Sequence, residues 1–414
     1  MIAHIRRLAV ITLFAFAGLA GTAHAQPFGI ELHNTMMPIA GGMGGVSIAQ
    51  PLEPLAAING NPAALTRFDG TQFQFGGGWA ESTYNMNHTG NLVLAGVGPY
   101  SAKSGTPGTA VSNIGMTRQL NIFDGNVTAG FGLTSDAGVG LDFRDVPASN
   151  GTSSQIVVLD VSSNVGVKIT DRLSVGSSLG LGSSFFSGPF VGISAMVPDY
   201  ALRGTLGINY DAFDATTLGF YYQTKQNFTY DDAIRFALPG NIFSVSQDVH
   251  MSLPANFGFG IANRGLCDGR LMLGMDILLK NWEDAALFDA FYKNQVVLQF
   301  GAQYSIQRLR LRAGYVYAEN PLKEVTSTTE GGVVPPGGLP AVEYTQAQFA
   351  IINRNRISFG IGMADVLPGL DVDFFAGGMF RESANIGAFT SVNVESYWVG
   401  LGSTYRFGRM TPRK

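Results

Sequence analysis

The sequence has a single cysteine, Cys267, and only 14% of its residues are charged. One thiol cannot form an internal disulfide or a cysteine-based metal cluster. The charged fraction lies well below the quarter that is typical of soluble domains. The formal net charge is −4 and no run of basic residues stands out, so nucleic acid is not expected as a partner. No metal-ligand spacing or nucleotide-binding motif occurs, and we expect neither a metal nor a cofactor.

The chain also lacks an apolar run of the ~20 residues that a membrane-spanning helix requires. Its longest run, Leu8–Leu19, follows the basic pair Arg6 and Arg7 and precedes the small residues of Ala23-His24-Ala25. This order predicts a secretory signal peptide over residues 1–25. An exported chain without a helical anchor is periplasmic, secreted or a β-barrel.

Alternation of apolar and polar residues favours the barrel. In Met251–Ile261, for example, every second residue is apolar and the intervening positions carry Ser, Pro, Asn and Gly. Many such runs extend for about 9–13 residues, which suits a tilted strand crossing a bilayer. Strands of soluble proteins average about 5–6 residues. The 54 glycines and 11% aromatic residues fit strands that curve around a lumen and end at membrane interfaces.

Short and long links alternate along the chain, as periplasmic turns and outer loops do in outer-membrane barrels. Short links are predicted at six places, and the long ones include Asp231–Ser246, Asn320–Arg354 and Arg381–Val394. The count gives about fourteen antiparallel strands within residues 69–408, which returns both termini to the periplasm. Residues 409–414 form a short tail. The predicted class is therefore an all-β transmembrane barrel in the bacterial outer membrane.

Residues 26–68 show no strand pattern and contain five prolines and the cluster Gly41–Gly45. Lipid cannot satisfy irregular backbone, so this segment must lie in water or inside the barrel. We interpret it as an N-terminal hatch that plugs the lumen; a periplasmic tail is the alternative.

Several segments resemble, in order, the outer-membrane long-chain fatty-acid and aromatic-hydrocarbon transporter family of FadL and TodX. They are AGGMGGVSIA, NGNPAALTRFDGTQFQFG at Asn59–Gly76, SLPANFGFGIANR at Ser252–Arg264, the pair Asn281–Trp282 and FGAQYSIQRLRLRAGYVYAENP at Phe300–Pro321. The resemblance implies a fourteen-stranded barrel with a hatch that lets hydrophobic small molecules cross the outer membrane passively. Its expected partners are membrane lipid and that substrate, and it is expected to act as a monomer.

In the family model, the substrate passes from outer loops to an apolar lumen pocket and leaves sideways where the third strand kinks. The resemblance places Asn61, Pro62 and Ala63 of the hatch at this gap and the third strand at about Val127–Phe143. The candidates for the kink are Gly130, Gly132, Gly138 and Gly140, because glycine tolerates dihedral angles that interrupt pairing. Asn61 and Pro62 also have a local explanation, since they can cap and begin a short helix. One departure is the short link Ser187–Tyr200, where relatives often have a long capture loop.

Alternation also selects residues that face the lumen. The candidates for a substrate pocket are Phe186, Tyr221, Met272, Leu278, Phe375 and Trp398. They would alternatively pack against the hatch residues Ile39, Met43, Val46 and Ile48. Lumen-facing bases are Arg203, Lys280, Arg310, Arg312, Arg356 and Arg406, of which Arg310 and Arg312 are the candidates for a carboxylate head group. The alternative for these bases is a ladder of ion pairs with Asp276, Asp371 and Asp373.

Other functions are weaker hypotheses. A structural or partner-binding barrel would share the same fold. A surface lipid hydrolase would need an oriented nucleophile, and His250 beside Asp248 and Ser252 on a strand does not supply one. We therefore expect no enzymatic activity and no catalytic residues.

Overall fold

The computed structural model describes residues 29–30, 33–188, 196–234, 237–238, 242–243 and 246–407. The predicted signal peptide and the tail at 409–414 lie outside these residues. Fourteen long strands form one antiparallel sheet. They are β1 Thr71–His88, β2 Thr109–Leu120, β3 Val127–Asp142, β4 Ser153–Lys168, β5 Leu173–Ser187, β6 Val197–Phe213, β7 Thr216–Gln223, β8 Ala255–Leu266, β9 Leu271–Asn281, β10 Gln295–Ile306, β11 Leu309–Ala318, β12 Asn355–Leu367, β13 Leu370–Ile386 and β14 Thr390–Arg406.

The sheet closes on itself. Each strand pairs with its neighbour in the chain, and β14 pairs with β1, so that Tyr405 lies opposite Phe73 and Thr390 lies opposite His88. Closure removes the free edges that an open sheet would expose. The predicted fourteen-stranded antiparallel barrel is confirmed.

The outer face of the barrel is apolar. Side chains alternate between a buried inner face and an exposed outer face, and large apolar residues such as Phe131, Leu179, Leu206 and Phe359 are exposed. An apolar band outside a closed barrel is the surface that lipid requires. Within the described residues, no helix is long and apolar enough to cross a membrane.

The links differ at the two ends of the barrel. At one end, called the turn end, links are short: 121–126, 169–172, 214–215, 267–270, 307–308 and 368–369. At the other, called the loop end, the links between β1 and β12 are longer, up to 319–354. One prediction was wrong: Arg381–Val394 is not a long link, because β13 and β14 extend to a turn at 387–389. Val392 and Val394 remain buried inside, while the other face of this segment is polar.

Two elements at the loop end fold into the mouth of the barrel. A hairpin is formed by Gln226–Ile234 and Gln247–Leu253, and helix α2 covers Leu339–Gln348. They bury a large apolar cluster, called the loop-end cluster, which is rich in aromatic rings. Its aromatic side chains are Tyr84, Tyr100, Phe143, Phe186, Phe228, Tyr230, Trp282, Phe288, Phe291, Tyr292, Tyr344, Phe349, Phe375 and Trp398.

The described part of the hatch, residues 33–68, lies inside the barrel. It contains a 3-10 helix at Ala40–Met43, helix α1 at Pro54–Ile58 and a 3-10 helix at Pro62–Arg67. Inward-facing glycines of the wall make space for it: a Cβ at Gly314 would lie 2.1 Å from the nitrogen of Gly44. A Cβ at Gly402 would lie 2.2 Å from the ring of Pro38. The many strand glycines therefore let the hatch backbone approach the wall.

Candidate functional site

A buried carboxylate fixes the fold of the hatch. Oε1 of Glu53 accepts hydrogen bonds from the backbone N–H groups of Ile39 at 2.9 Å and Ala40 at 2.7 Å. Its Oε2 accepts a bond from the side chain of Gln74 on β1. Complete burial raises the pKa of Glu53 to about 7 against the opposing effect of these donors. Glu53 thus joins two turns of the hatch and ties them to the wall.

A second carboxylate holds the hatch from the opposite side of the barrel. Oδ2 of Asp276, on β9, accepts the backbone N–H groups of Ser47 at 2.7 Å and Ile48 at 3.0 Å. Asp276 therefore orients the hatch, and among the described residues it forms no ion pair of the ladder that was considered as an alternative.

Asn61 and Pro62 cap and begin a short helix, as their local sequence predicted, and Ala63 follows them in its first turn. Asn61 caps the 3-10 helix through Oδ1, which accepts the N–H of Ala63 at 3.1 Å. Its Nδ2 donates to the carbonyl of Ile48 at 2.9 Å and to that of Ile208 on β6 at 3.0 Å. A Cβ at Gly176 or Gly207 would collide with this segment. The cap therefore lies against β4, β5 and β6, close to the turn end, and not directly against β3.

The wall is interrupted between β2 and β3. The ladder between them runs from Leu120–Val127 to Ile114–Leu133 and then ends. In the next part of β3, the pairing with β4 skips Asp136, so this residue forms a β-bulge. The edge of β3 at 136–141, about 20 Å long at ~3.3 Å per residue, has no ladder to β2. We call this interruption the wall gap.

The irregularity in the pairing of β3 lies between the predicted glycines. Gly130 and Gly132 face the hatch residues Leu65 and Ile58 and pair regularly with β4, and Gly138 also pairs with β4. The irregularity occurs at Asp136. The hatch residue that contacts this region is Asn59, whose Oδ1 accepts a bond from Thr134 at 3.3 Å. The short strand Gly29–Ile30 pairs with Ala137 and Gly138, so the N-terminal part of the chain occupies part of the wall gap.

One buried guanidinium connects the wall gap to the loop end. Arg203, on β6, forms an ion pair with Asp136 at 2.9 Å. Its Nε donates to the carbonyl of Thr224 at 3.0 Å and its Nη2 donates to that of Pro254 at 2.7 Å. Thr224 and Pro254 flank the loop-end hairpin, so Arg203 joins both ends of that hairpin to the bulge.

The six pocket candidates are all buried inside the barrel, but they form two groups. Tyr221 and Leu278 pack with Ile48 of the hatch, and Met272 packs with Met43 and Ala49. Phe186, Phe375 and Trp398 belong to the loop-end cluster above the hatch. The first group has the packing role that was the alternative. In the second group, Phe186 stacks on Tyr230 of the hairpin, and the ring of Phe375 also contacts the hatch, 2.9 Å from the position of a Cβ at Gly41.

The head-group candidates Arg310 and Arg312 lie near the turn end. Nη1 of Arg312 pairs with Asp373 at 2.7 Å, and both side chains are buried. Arg310 donates to the carbonyls of Gln307 and Leu309. Arg406 pairs with Asp371 and Asp365. Much of this set forms the ion-pair ladder considered above, and it lies on the far side of the hatch from the loop end.

Arg356 has a different environment, which alternation alone did not distinguish. It faces inward from β12 between Val316 and Met379 and is 5% exposed. On the inner face of β12, Arg356 is the next residue after Ser358 in the direction of the loop end. The hydroxyl of Ser358 accepts the N–H of Gly44 in the hatch at 2.9 Å. Nε and Nη1 of Arg356 have no hydrogen-bond partner among the described residues. A buried guanidinium directly above the hatch is thus left without a carboxylate.

His250 lies in the loop-end hairpin. Its Nδ1 is 3.3 Å from the hydroxyl of Thr229. Ser252 donates instead to Asn227, and Asp248 accepts the N–H of Asp232. These three side chains are therefore not arranged as a nucleophile, a base and an orienting carboxylate. The described residues include no group of His, Cys, Asp and Glu that could hold a metal ion.

The N-terminal part of the chain is similar to a known protein family. Residues 17–185 match the model of the family described as outer membrane protein transport protein (OMPP1/FadL/TodX). The resemblance to the FadL/TodX family is confirmed. A comparison with curated proteins gives no match.

Solved structures of FadL/TodX type share the fold over nearly the whole chain. The toluene transporter TodX of P. putida is 17% identical, with a TM-score of 0.66, over 92% of this chain and 99% of its own. A FadL homologue of Pseudomonas aeruginosa is 15% identical, with a TM-score of 0.68, over 93% and 100%. The toluene transporter TbuX of Ralstonia pickettii is 18% identical, with a TM-score of 0.63, over 92% and 100%. At these identities the likeness establishes the fold.

Proposed function

We propose that this protein is a passive outer-membrane transporter of hydrophobic small molecules, with its turn end and both termini in the periplasm. The observation that carries the proposal is the combination of an apolar loop-end half of the lumen, closed by the hatch, with a gap in the wall. A water-filled pore would have a polar lumen. Here the loop-end cluster, the hatch and the wall gap form successive apolar surfaces between the outside and the membrane. The family match and the related transporters support this proposal.

The mechanism requires only transfer between apolar surfaces. A pocket that buries ~300 Å² of apolar ligand surface would contribute about 7 kcal/mol before the costs of binding, at ~25 cal/mol per Å². The substrate would enter among the aromatic residues of the loop end, near Phe186 and Trp398, and descend to the hatch. It would leave through the wall gap beside Asp136, where the ladder between β2 and β3 is absent. Release requires a shift of the hatch near Asn59, which contacts β3, and displacement of the strand Gly29–Ile30 from the edge of β3.

The short link between β5 and β6 leaves less chain for a capture loop than relatives of this type often have. The aromatic hairpin at Gln226–Leu253 and helix α2 supply the apolar surface at the loop end instead. We therefore assign initial capture to these two elements.

Arg356 favours an acid over a neutral hydrocarbon as the substrate. A carboxylate would give its buried guanidinium the charged partner that the described residues do not provide. The chain of a long-chain fatty acid would then extend into the loop-end cluster. Among the two substrate classes that the sequence suggested, we propose long-chain fatty acids.

Uptake by whole cells tests the proposal. The gene is expressed in a strain that lacks its own transporters for hydrophobic compounds, and uptake of labelled hexadecanoate and labelled ethylbenzene is compared with that of the empty strain. We expect faster uptake of hexadecanoate. Equal rates for both compounds with and without the gene, at normal amounts of folded barrel in the outer membrane, would contradict transport and favour a structural or partner-binding role.

A further inference from the structure

A cavity lies at the turn end, on the other side of the hatch from Arg356. Its volume is about 840 Å³, which is within the range of ~300–1,000 Å³ that holds small organic ligands. The hatch contributes Leu52 and Phe68 to its lining, and the barrel contributes Met363 and Leu309. We call it the turn-end chamber.

Positive charge exceeds negative charge in the lining of this chamber. Six arginines contribute to it, and they are Arg67, Arg264, Arg308, Arg310, Arg312 and Arg406. The nearby carboxylates are already engaged: Asp211 pairs with Arg67, Asp373 pairs with Arg312, and Asp365 and Asp371 pair with Arg406.

Three arginines of the chamber, Arg264, Arg308 and Arg310, form no ion pair among the described residues. Arg310 donates to the carbonyls of Gln307 at 2.6 Å and Leu309 at 3.1 Å, which hold its Nη1 at the wall. Arg308 donates to the carbonyl of Asp365 at 3.3 Å. Backbone carbonyls position these cations without neutralising them, so they remain available to an anion.

Buried polar atoms give an independent indication of a ligand. Thr404 is 5% exposed and lines the chamber, and its hydroxyl has no hydrogen-bond partner among the described residues. Nε of Arg406 is also buried without a partner. Buried polar groups of proteins are normally hydrogen-bonded, so unpaired donors that line a cavity require a polar partner in that cavity, which a ligand would supply.

We propose that the turn-end chamber binds an anionic amphiphile, with its acyl chain against Leu52, Phe68 and Met363 and its carboxylate or phosphate head on Arg308 and Arg310. The hydroxyl of Thr404 donates a further hydrogen bond to this ligand. The ligand is either a free fatty acid or a phospholipid, which share this chemistry. The proposal does not rest on transport through the lumen, since the chamber is separated from the loop end by the hatch.

Photo-cross-linking of the purified full-length protein in a neutral detergent tests this site. Three probes carry the same diazirine on a 16-carbon chain: hexadecanoate, a phosphatidylglycerol and the methyl ester of hexadecanoate. Mass spectrometry then locates the label. We expect at least one anionic probe to label Ile306–Arg312 or Met363, and the methyl ester to label them roughly tenfold less because it lacks the charge-assisted hydrogen bonds. The more strongly labelling anion identifies the source of the head group.

Variants distinguish binding in the turn-end chamber from binding in the lumen and from nonspecific attraction to basic side chains. In Arg308→Gln/Arg310→Gln, labelling of the chamber should fall about tenfold, and Thr404→Val should weaken it in a protein whose charge is unchanged. The matched control is Arg172→Gln, since Arg172 is an exposed turn-end arginine that pairs with Asp214 outside the chamber. Arg356→Met should leave chamber labelling unchanged. Equal labelling by the methyl ester, an equal fall in Arg172→Gln, or label confined to the loop end would overturn the proposal.

Discussion

Buried charged side chains in this barrel differ in what faces them. Arg312 and Arg203 face carboxylates, and Glu53 faces backbone N–H groups. These groups hold strands and hatch in place. Each of them has a partner, and a buried charge is tolerated when it is paired. Arg356 faces neither. Burying a guanidinium is costly, and Arg356 has no carboxylate partner in the described part of the chain, so we explain it by a partner that arrives from outside.

Arg356→Met is therefore expected to separate acids from neutral compounds. Loss of the head-group contact should lower hexadecanoate uptake by roughly tenfold at low substrate concentration, while uptake of ethylbenzene stays the same or rises. Arg356→Lys keeps the charge and should retain part of the acid uptake. Equal losses for both compounds would show that Arg356 only supports the fold.

Glu53 makes the hatch sensitive to pH. The folded hatch raises the pKa of Glu53 from its usual 4.5 to about 7, so it retains a proton that the unfolded segment has already released. The contribution of Glu53 to hatch stability is therefore greatest below the usual pKa and is lost as the pH rises through about 7. We expect the amide hydrogens of Ile39 and Ala40, corrected for intrinsic rates, to exchange faster at pH 8 than at pH 5. This pH dependence should be absent from Glu53→Gln, and an identical slope in that variant would assign it to another group.

At the scale of elements, Arg203 joins the kinked strand to the outer hairpin. Arg203→Met should speed amide exchange both in Gln226–Leu253 and around Asp136, because one side chain supplies bonds to both. Asp136→Asn should affect mainly β3. Lys225→Gln is the control, since its exposed pair with Asp284 at the base of the same hairpin contributes little. If Arg203→Met changed only the hairpin, the two elements would not be coupled.

The sequence predicted best the elements in which apolar and polar residues alternate with a period of two. Long strands with one apolar face were located by alternation, and the short links by Asp, Asn and Gly. Helix α2 was missed because it is buried on nearly every side and lacks the periodic polar face of a surface helix. The end of β13 was missed because its outer residues are polar there, beyond the apolar band. The bulge at Asp136 has a signal in retrospect: Thr134 and Ala137 both face inward, which breaks the alternation.

At the scale of the molecule, the glycine content reflects the fit between wall and hatch. Alternation could place six apolar candidates and six bases inside the barrel. Alternation could not predict which of these residues contact the hatch, because the contacts depend on the path of residues 33–68 through the lumen. Gly42, for example, lies against Gly360, more than three hundred residues away in sequence. The division between packing residues and lumen residues, and the isolation of Arg356, are consequences of that path.

Exit through the side of the barrel is the central claim, and deletion of Asp136 tests it most directly. Without the extra residue, Thr134, Ser135 and Ala137 would alternate regularly, so β3 could run straight and extend its ladder to β2 across the wall gap. Asp136→Asn keeps the bulge and serves as the control for the lost ion pair. The measurement is the hexadecanoate uptake rate at equal amounts of folded barrel. We predict near-complete loss in the deletion variant and substantial retention in Asp136→Asn; undiminished uptake with the ladder closed would contradict lateral exit.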